Sequence, residues 1–296
     1  MKRKICLLLT LATILTCSTS CGKKQQVDEN TTESTQNEST NLEEILGLDE
    51  DSSQVEEIPV EEGMELYNSA FDKAFALDNC TITTNAIMTL TSENEENADT
   101  FVDSMQFNKD GKVFYFGGNR LETNSDGSTK DILKIQTWFE NEIYYQKIIV
   151  PGSEDICLKE STSFDNQLDY TKDILKSSID MFRDCVEGIS VRKEEDKVLV
   201  LFQLNVEKCQ EPFNKEYNLE GELENNLKVS NAQIELQLDA DMNLLKSSFI
   251  MVANEGNDKV KVEETITLSD VGTTEVPVLI ASEKEKYIDV SEEKTE

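Results

Sequence analysis

VSNAQIELQLDADMNLLKSSFIMVANEGNDKVKVEETITLSDVG, residues 229–272, is the stretch that decides the fold. Its apolar side chains alternate with polar ones, and the sets that share a face are Ala232, Ile234, Leu236 and Leu238 in one run and Val260, Val262, Ile266 and Leu268 in another. A period of two residues indicates a β-strand with one buried face and one face in water. Such strands belong to antiparallel sheets, because the strands of parallel sheets are covered on both faces.

Short turns join the predicted strands. DADMN, residues 239–243, resembles the start of a calcium-binding loop, but Leu244 stands where that loop needs Gly and Ile250 where it needs a bidentate Glu. We therefore interpret it as a hairpin turn. Residues 109–111 and 140–142 are similar turn signals earlier in the chain, and connections this short make the strands they join antiparallel neighbours.

Two segments have helical spacing instead. Residues 61–79 place Met64, Tyr67, Phe71, Ala74 and Phe75 on one helical face, and residues 169–186 do the same with Ile174, Leu175, Ile179, Phe182, Cys185 and Val186. Predicted strands follow each segment. The sequence therefore predicts an α+β fold in which roughly nine or ten antiparallel strands form a meander sheet packed on two helices.

Residues 1–20 have the pattern of a secretory signal peptide, with a basic start, a short apolar run and small residues at the end. The apolar run is too short to span a bilayer. Ser-Thr-Ser before Cys21, with Gly-Lys-Lys after it, resembles the lipobox of bacterial lipoproteins, in which the signal is cut before a cysteine that carries diacylglycerol. We expect lipidation at Cys21. Cys17 is the competing register, and an ordinary secretory signal with incidental cysteines is the alternative.

The composition divides the rest of the chain. Residues 21–60 are polar and acidic and contain no aromatic side chain, which predicts a disordered tether. Residues 61–275 are predicted to form one domain, and residues 276–296 a polar C-terminal tail. The net charge of −32 leaves no basic footprint for nucleic acid. Anionic headgroups would also repel such a chain, so we expect acyl chains, and not charge, to hold it at the membrane.

The layout as a whole resembles a known group of proteins. It consists of the lipobox, the tether, a helix leading into CTITTNAIMTLT (residues 80–91), the hairpin IQTWFENEIYYQKI (residues 135–148), a mid-chain helix and the final strands of residues 229–272. It is similar to that of Gram-positive surface lipoproteins with a LolA/LppX-like fold. The resemblance implies an antiparallel sheet curled into an open half-barrel around helices, whose concave side in some relatives holds an acyl chain or the lipid of a lipoprotein.

The sequence carries no recognisable catalytic pattern. It has no histidine, which excludes His-based triads, general bases and metal ligands. Nucleophile elbows, phosphate loops and dinucleotide fingerprints are missing as well. With 60 acidic residues, carboxylate pairs such as Glu140 and Glu142 arise by chance and say little. We therefore expect a non-catalytic protein without a cofactor.

Four cysteines follow the signal region and Cys21, namely Cys80, Cys157, Cys185 and Cys209. Their spacing lacks the paired CxxC of a zinc site, so no metal site is predicted. Outside the membrane they are candidates for two disulfides in any of three connectivities. Cys80 and Cys185 lie on apolar faces, so buried free thiols are the alternative for these two.

Candidate ligand-binding residues come from the aromatic and Met positions. Phe101, Met105 and Phe107 share one strand face with Asp103, and Met88 and Met251 lie on apolar faces of their own strands. In an open barrel these five side chains would line a groove for a hydrophobic or lipid-like ligand. The alternative is that the helices fill the concavity and all five are core. Trp138 is expected to face outward, beside Tyr144, as an interaction patch.

Two classes of function follow for a lipid-anchored protein on the extracytoplasmic face of the cell membrane. The first is a carrier or sensor that encloses a hydrophobic small molecule or lipid in the half-barrel. The second is a scaffold or interaction lipoprotein whose core is filled and whose protein partners contact its surface. The sequence does not name either the ligand or the partner.

Overall fold

The computed structural model describes residues 55–92, 95–194, 196–217 and 227–290. The predicted signal peptide, the lipidation site Cys21 and nearly all of the predicted tether lie outside these residues. Within them, no helix combines the length and the apolar character needed to cross a membrane.

Every described strand belongs to one sheet. The strands are β1 (Val55–Ile58), β2 (Asn79–Ser92), β3 (Glu95–Asn108), β4 (Val113–Thr123), β5 (Thr129–Glu140), β6 (Ile143–Ile149), β7 (Ile156–Ser161), β8 (Val186–Glu194), β9 (Lys197–Leu204), β10 (Lys228–Asp239), β11 (Leu244–Glu255), β12 (Asp258–Ser269) and β13 (Ile288–Asp289). The helices are α1 (Val60–Ala76), α2 (Phe164–Phe182), α3 (Val206–Tyr217) and α4 (Ala281–Lys284), and a 3-10 turn spans Arg183–Cys185.

The 13 strands lie in the order β1-β8-β9-β10-β11-β12-β2-β3-β4-β5-β6-β7-β13. Neighbours are antiparallel except β13, which pairs with β7 in parallel. The sheet does not close, because β1 and β13 are its two edges. An open antiparallel sheet packed on helices confirms the predicted α+β class. The two halves of the meander meet where β12 pairs with β2, from Lys259 opposite Thr91 to Ser269 opposite Thr81.

The prediction of two helices was incomplete. The pattern of residues 198–206 predicts a strand that runs through Val206, but β9 ends at Leu204 and α3 begins at Val206. Cys209 and Phe213, four residues apart, are the buried anchors of α3. The helix contains Pro212 in its interior, a residue that removes a helical hydrogen bond. Tertiary packing therefore imposes this helix against its local sequence preference.

Helix α1 packs closely against the inner face of the sheet, which is defined here as the face that contacts α1 and α2. Gly63 makes the close approach possible, since a Cβ there would collide with the Ile189 side chain on β8. The Tyr67 ring lies edge-on to Phe202, with centroids 6.0 Å apart. Farther along the helix, Phe75 stacks on Phe107 at the same centroid distance of 6.0 Å. Helix α1 therefore fills its part of the concavity.

Helix α2 is held to the inner face at its two ends. Ser163 caps its start, accepting a hydrogen bond from the Asn166 N–H at 3.3 Å. Phe164 in the first turn packs on Phe139, with ring centroids 5.6 Å apart. Phe182 at the other end stacks on Phe249 at 5.2 Å. Between these buried ends the residues that face the sheet, from 170 to 175, are only half-buried, so α2 bridges a gap.

Residues 276–290 are the described part of the predicted C-terminal tail, and they pack on the outer face of the sheet before ending in the edge strand β13. Leu279 and Tyr287 are buried there against Tyr145, and the two Tyr rings meet edge-to-face at 5.3 Å. Trp138 packs against the same cluster. The expected patch of Trp138 with Tyr144 was wrong, because Trp138 pairs with Tyr145 across the strands, whereas Tyr144 points to the inner face.

Candidate ligand site beneath helix α2

A cavity of about 70 Å³ lies between the middle of α2 and the inner face of the sheet. The polar side chains in its wall are Thr84, Asp103, Thr137 and Glu264 from the sheet and Gln167 and Thr171 from α2. The rest of the wall is apolar or aromatic and comprises Phe114, Phe116, Tyr144, Tyr170, Ile174 and Leu175. The cavity is therefore amphipathic, with both carboxylates on the sheet side.

Strand register explains how the polar groups meet. Thr84 on β2 lies directly opposite Asp103 on β3, and Asp103 lies opposite Gly118 on β4. A Cβ at position 118 would stand 2.5 Å from Asp103 Oδ1. Gly118 therefore leaves the space that the carboxylate occupies. Thr137 is on β5, the strand next to β4, and lies opposite Gln146 on β6.

The Asp103 side chain is half-buried, and one of its two carboxylate oxygens is unsatisfied. Its Oδ1 is inaccessible to solvent and has no hydrogen-bond partner among the residues that the structure describes. Burial raises the pKa of this carboxyl to about 7, and the negative charge of Glu264 adds to the increase. The aspartic acid is therefore near the midpoint of its titration at neutral pH.

Thr137 presents a second unsatisfied group to the same cavity. The residue is 2% exposed, and its Oγ1 has no hydrogen-bond partner within the described part of the chain. Buried polar atoms of native proteins are nearly always paired with protein or with ordered water. At roughly 10–15 Å³ for each water, the cavity has room for about five. Water or a bound molecule is therefore expected to supply the missing partners.

Glu264 connects this cavity to a smaller one of about 10 Å³, whose wall includes Tyr67 and Ser247. Burial raises the pKa of the Tyr67 hydroxyl far above its usual range, a hydrogen bond with Ser247 opposes the increase, and the charge of Glu264 adds to it. Asp103, Glu264 and Tyr67 are thus polar residues in the walls of two neighbouring cavities between the sheet and the helices α1 and α2.

The arrangement is suited to binding. It offers carboxylate and hydroxyl oxygens, an amide and apolar walls. Among the described residues, no group of three or more His, Cys, Asp or Glu side chains is placed to hold a metal ion. The cavity wall therefore offers hydrogen bonds and apolar contact, and not metal ligation, as the means of holding a molecule.

The five predicted groove residues, Met88, Phe101, Met105, Phe107 and Met251, are all buried in the main hydrophobic core. None of them belongs to the cavity wall. This placement agrees with the alternative in which the helices fill the concavity and all five residues are part of the core.

Sequence reasoning missed the residues that do line the cavity. The signal was present, because Asp103 and Glu264 interrupt runs of apolar residues at inward positions of their strands. Asp103 stands between Phe101 and Met105, and Glu264 between Val262 and Ile266. A charged residue at an inward position is costly unless it has a partner or a role.

The four described cysteines are free, and the structure brings two of them together. The Cys185 and Cys209 thiols are in hydrogen-bonding contact, and burial, followed by the charge of Cys185, raises the pKa of Cys209 to about 12. Cys80 lies in the main core, while Cys157 packs against the outer cluster. Cys185 and Cys209 are therefore the pair nearest to disulfide geometry, and a disulfide in the folded protein stays a prediction.

Neither protein-family profiles nor curated proteins match the sequence. Among solved structures, a DUF1329 family protein from Desulfovibrio piger aligns at 12% identity and a TM-score of 0.24, covering 73% of this chain and 95% of that one. A beta-barrel-like protein of the domain of unknown function DUF1849 from Brucella abortus aligns at 10% identity and a TM-score of 0.22, covering 65% and 98%. TM-scores this low carry no conclusion about function.

Proposed function

We propose that this chain is a lipid-anchored, extracytoplasmic protein that binds a small amphipathic molecule beneath α2 and catalyses no reaction on it. The observation that supports the proposal most is the amphipathic cavity, whose wall contains two buried polar atoms that have no partner in the described part of the protein. The resemblance to LolA/LppX-like surface lipoproteins also favours a ligand on the concave side of the sheet.

The volume of the cavity limits the ligand. Space for about five waters accommodates a short chain or a head group and not a complete diacyl lipid. Helix α1 and the core side chains occupy the rest of the inner face. The proposed ligand is therefore a small molecule, or the polar end of a larger one whose remainder leaves the cavity beside α2.

The anchor is proposed from the N-terminal sequence. Two acyl chains on Cys21 would attach the chain stably, since each buried CH₂ contributes about 0.8 kcal/mol. We expect labelled palmitate to be incorporated when the chain is produced in a Gram-positive host and to be absent from the Cys21→Ala variant. Cys17→Ala is the matched control and should keep the label. Loss of the label from Cys17→Ala alone would place the anchor at the other cysteine, and no label in any form would exclude it.

The binding site is tested at Thr171, which lines the cavity from α2. Thr171→Phe should fill the cavity, whereas Thr171→Ser should leave it open. Native mass spectrometry of the full chain, released from detergent micelles, is expected to show a co-purified small molecule on wild type and Thr171→Ser and bare mass for Thr171→Phe. Bare mass in all three would favour the alternative of a scaffold lipoprotein. Equal adducts in all three would place the ligand elsewhere.

A further inference from the structure

We propose that the molecule bound beneath α2 is an organic amine, whose ammonium group donates a hydrogen bond to Asp103 while its carbon chain lies against Phe114 and Tyr144. This inference rests on the proposed function, because it names the chemistry of the occupant of the same cavity. It follows from the hydrogen-bonding capacity of the wall, from its charge and from its aromatic surface.

The two unsatisfied atoms in the cavity wall can both accept hydrogen bonds. Asp103 Oδ1 and Thr137 Oγ1 are each inaccessible to solvent and have no hydrogen-bond partner among the described residues. A carboxylate only accepts hydrogen bonds, so its missing partner is a donor. An ammonium group carries three donors and no acceptor, and bonds between ionised partners are roughly twice as strong as neutral ones. A carboxylate or phosphate ligand would instead bring acceptor against acceptor.

The titratable groups that share the cavity wall with Asp103 are Glu264 from β12, Tyr144 from β6 and Tyr170 from α2, and no Lys or Arg of the described chain is among them. Arg120 on β4, whose Nη2 lies 2.9 Å from Asp99 Oδ2 and whose guanidinium lies 5.2 Å from the Phe101 ring centroid, does not belong to the wall. A ligand cation would therefore supply the positive charge that the described residues do not place in this wall.

The aromatic surface favours an organic cation over a metal ion. Phe114, Phe116 and Tyr144 present rings to the cavity, and the faces of such rings attract cations within about 6 Å. A metal ion needs a set of oxygen ligands that the described residues do not assemble. An amine with a short carbon chain would contact the carboxylate through its ammonium group and the apolar wall through its carbon chain.

The experiment compares three probes of equal chain length, butylammonium, 1-butanol and butyrate, by isothermal titration calorimetry with the full chain at about pH 8. We expect butylammonium to bind at least about tenfold more tightly than butanol, and butyrate not to bind measurably. Thr171→Phe should abolish binding of the amine. Attraction to the acidic surface in general would survive that substitution, and would overturn the assignment to this cavity.

Asp103→Asn tests the proposed contact directly. The variant is expected to lose about tenfold in affinity for butylammonium while keeping its affinity for butanol. Asp110→Asn, which neutralises an exposed carboxylate in the β3–β4 turn, is the matched control and should bind as wild type does. Wild-type affinity for the amine should fall about tenfold from about pH 8 to about pH 6, because Asp103 is then mostly protonated, and the Asn variant should show no such fall.

The outcomes separate the two proposals. Equal binding of butylammonium and butanol would overturn the amine and leave the cavity as a binding site for neutral molecules. Unchanged amine binding by Asp103→Asn would overturn the role of Asp103. Failure of all three probes would overturn the amine, and the adduct comparison at Thr171 would then decide separately whether the cavity binds any ligand.

Discussion

Replacing Asp103 with Asn is expected to raise the free energy of unfolding at about pH 8 by on the order of 2–4 kcal/mol, a gain in stability from removing a charge. The folded protein holds this carboxyl at a pKa of about 7, above its usual value of 3.8, because burial and then Glu264 disfavour the ionised form. Asn fits the same space opposite Gly118 and carries no charge at any pH.

The direction of the pH dependence follows from this pKa. Between about pH 4 and about pH 7 the unfolded chain has released the proton and the folded chain retains it, so this residue lowers wild-type stability as the pH rises through that window. Below about pH 4 both states are protonated, and wild type and Asp103→Asn should be equally stable.

Urea unfolding at several pH values measures this effect as the difference between the two proteins, which removes the pH dependence that they share. Asp110→Asn is the control and should follow wild type throughout, because its carboxylate is exposed. An Asp103→Asn variant with wild-type stability at about pH 8 would mean that the carboxylate is solvated and that the cavity is not the environment described above.

Phe71→Ala is expected to cost about 3–5 kcal/mol of stability. Phe71 on α1 is 1% exposed, and its ring centroid lies 4.8 Å from that of Tyr67. Because globular domains are stable by only about 5–15 kcal/mol, this one substitution should remove a large part of the total. Thermal unfolding followed by circular dichroism should show a transition lowered by several degrees.

The matched control for Phe71→Ala is its neighbour Asp72. The Asp72 side chain is 61% exposed and contacts Lys172 of α2 at 3.3 Å, and exposed ion pairs contribute little. Asp72→Ala should therefore change stability by less than about 1 kcal/mol. A Phe71→Ala variant as stable as Asp72→Ala would contradict the packing of α1 against the inner face of the sheet.

Local pattern was sufficient to predict most strands. The alternation in residues 229–272 corresponds to β10, β11 and β12, and the turn at residues 239–243 joins the first two of them. Each of these features depends on residues within a few positions of one another. Predicting the period of the side chains also predicted which face of each strand is buried.

The features that the sequence did not reveal depend on distant residues. Pairing of β12 with β2 joins residues that are 168 to 188 positions apart and leaves no local trace. Helix α3 contains Pro212, which disfavours a helix interior, and its buried anchors are four residues apart, a spacing that places them on one face of a strand as well as of a helix. Leu279 and Tyr287 have the apolar neighbours Val278, Ile280 and Ile288, which are exposed, and only the cluster around Tyr145 explains which residues of this segment are buried.

The candidate site, like the fold, was predictable only where it depends on local pattern. Asp103 and Glu264 are visible in the sequence as charged residues at inward positions, but 161 positions separate them in the numbering. They belong to one cavity because the strand order places β12, β2 and β3 side by side. The Met and Phe positions that the sequence favoured are, by contrast, what an apolar core requires.

The pKa of Asp103 is the most direct test of the account. Carboxyl ¹³C NMR of the full chain, with the resonance assigned by its loss in Asp103→Asn, gives this value in the free protein and with butylammonium added. A midpoint of about 7 that falls when the amine binds is the predicted result, because a bound cation favours the ionised carboxylate. A midpoint near 3.8, unchanged by the amine, would contradict both the buried carboxylate and the ligand proposed for it.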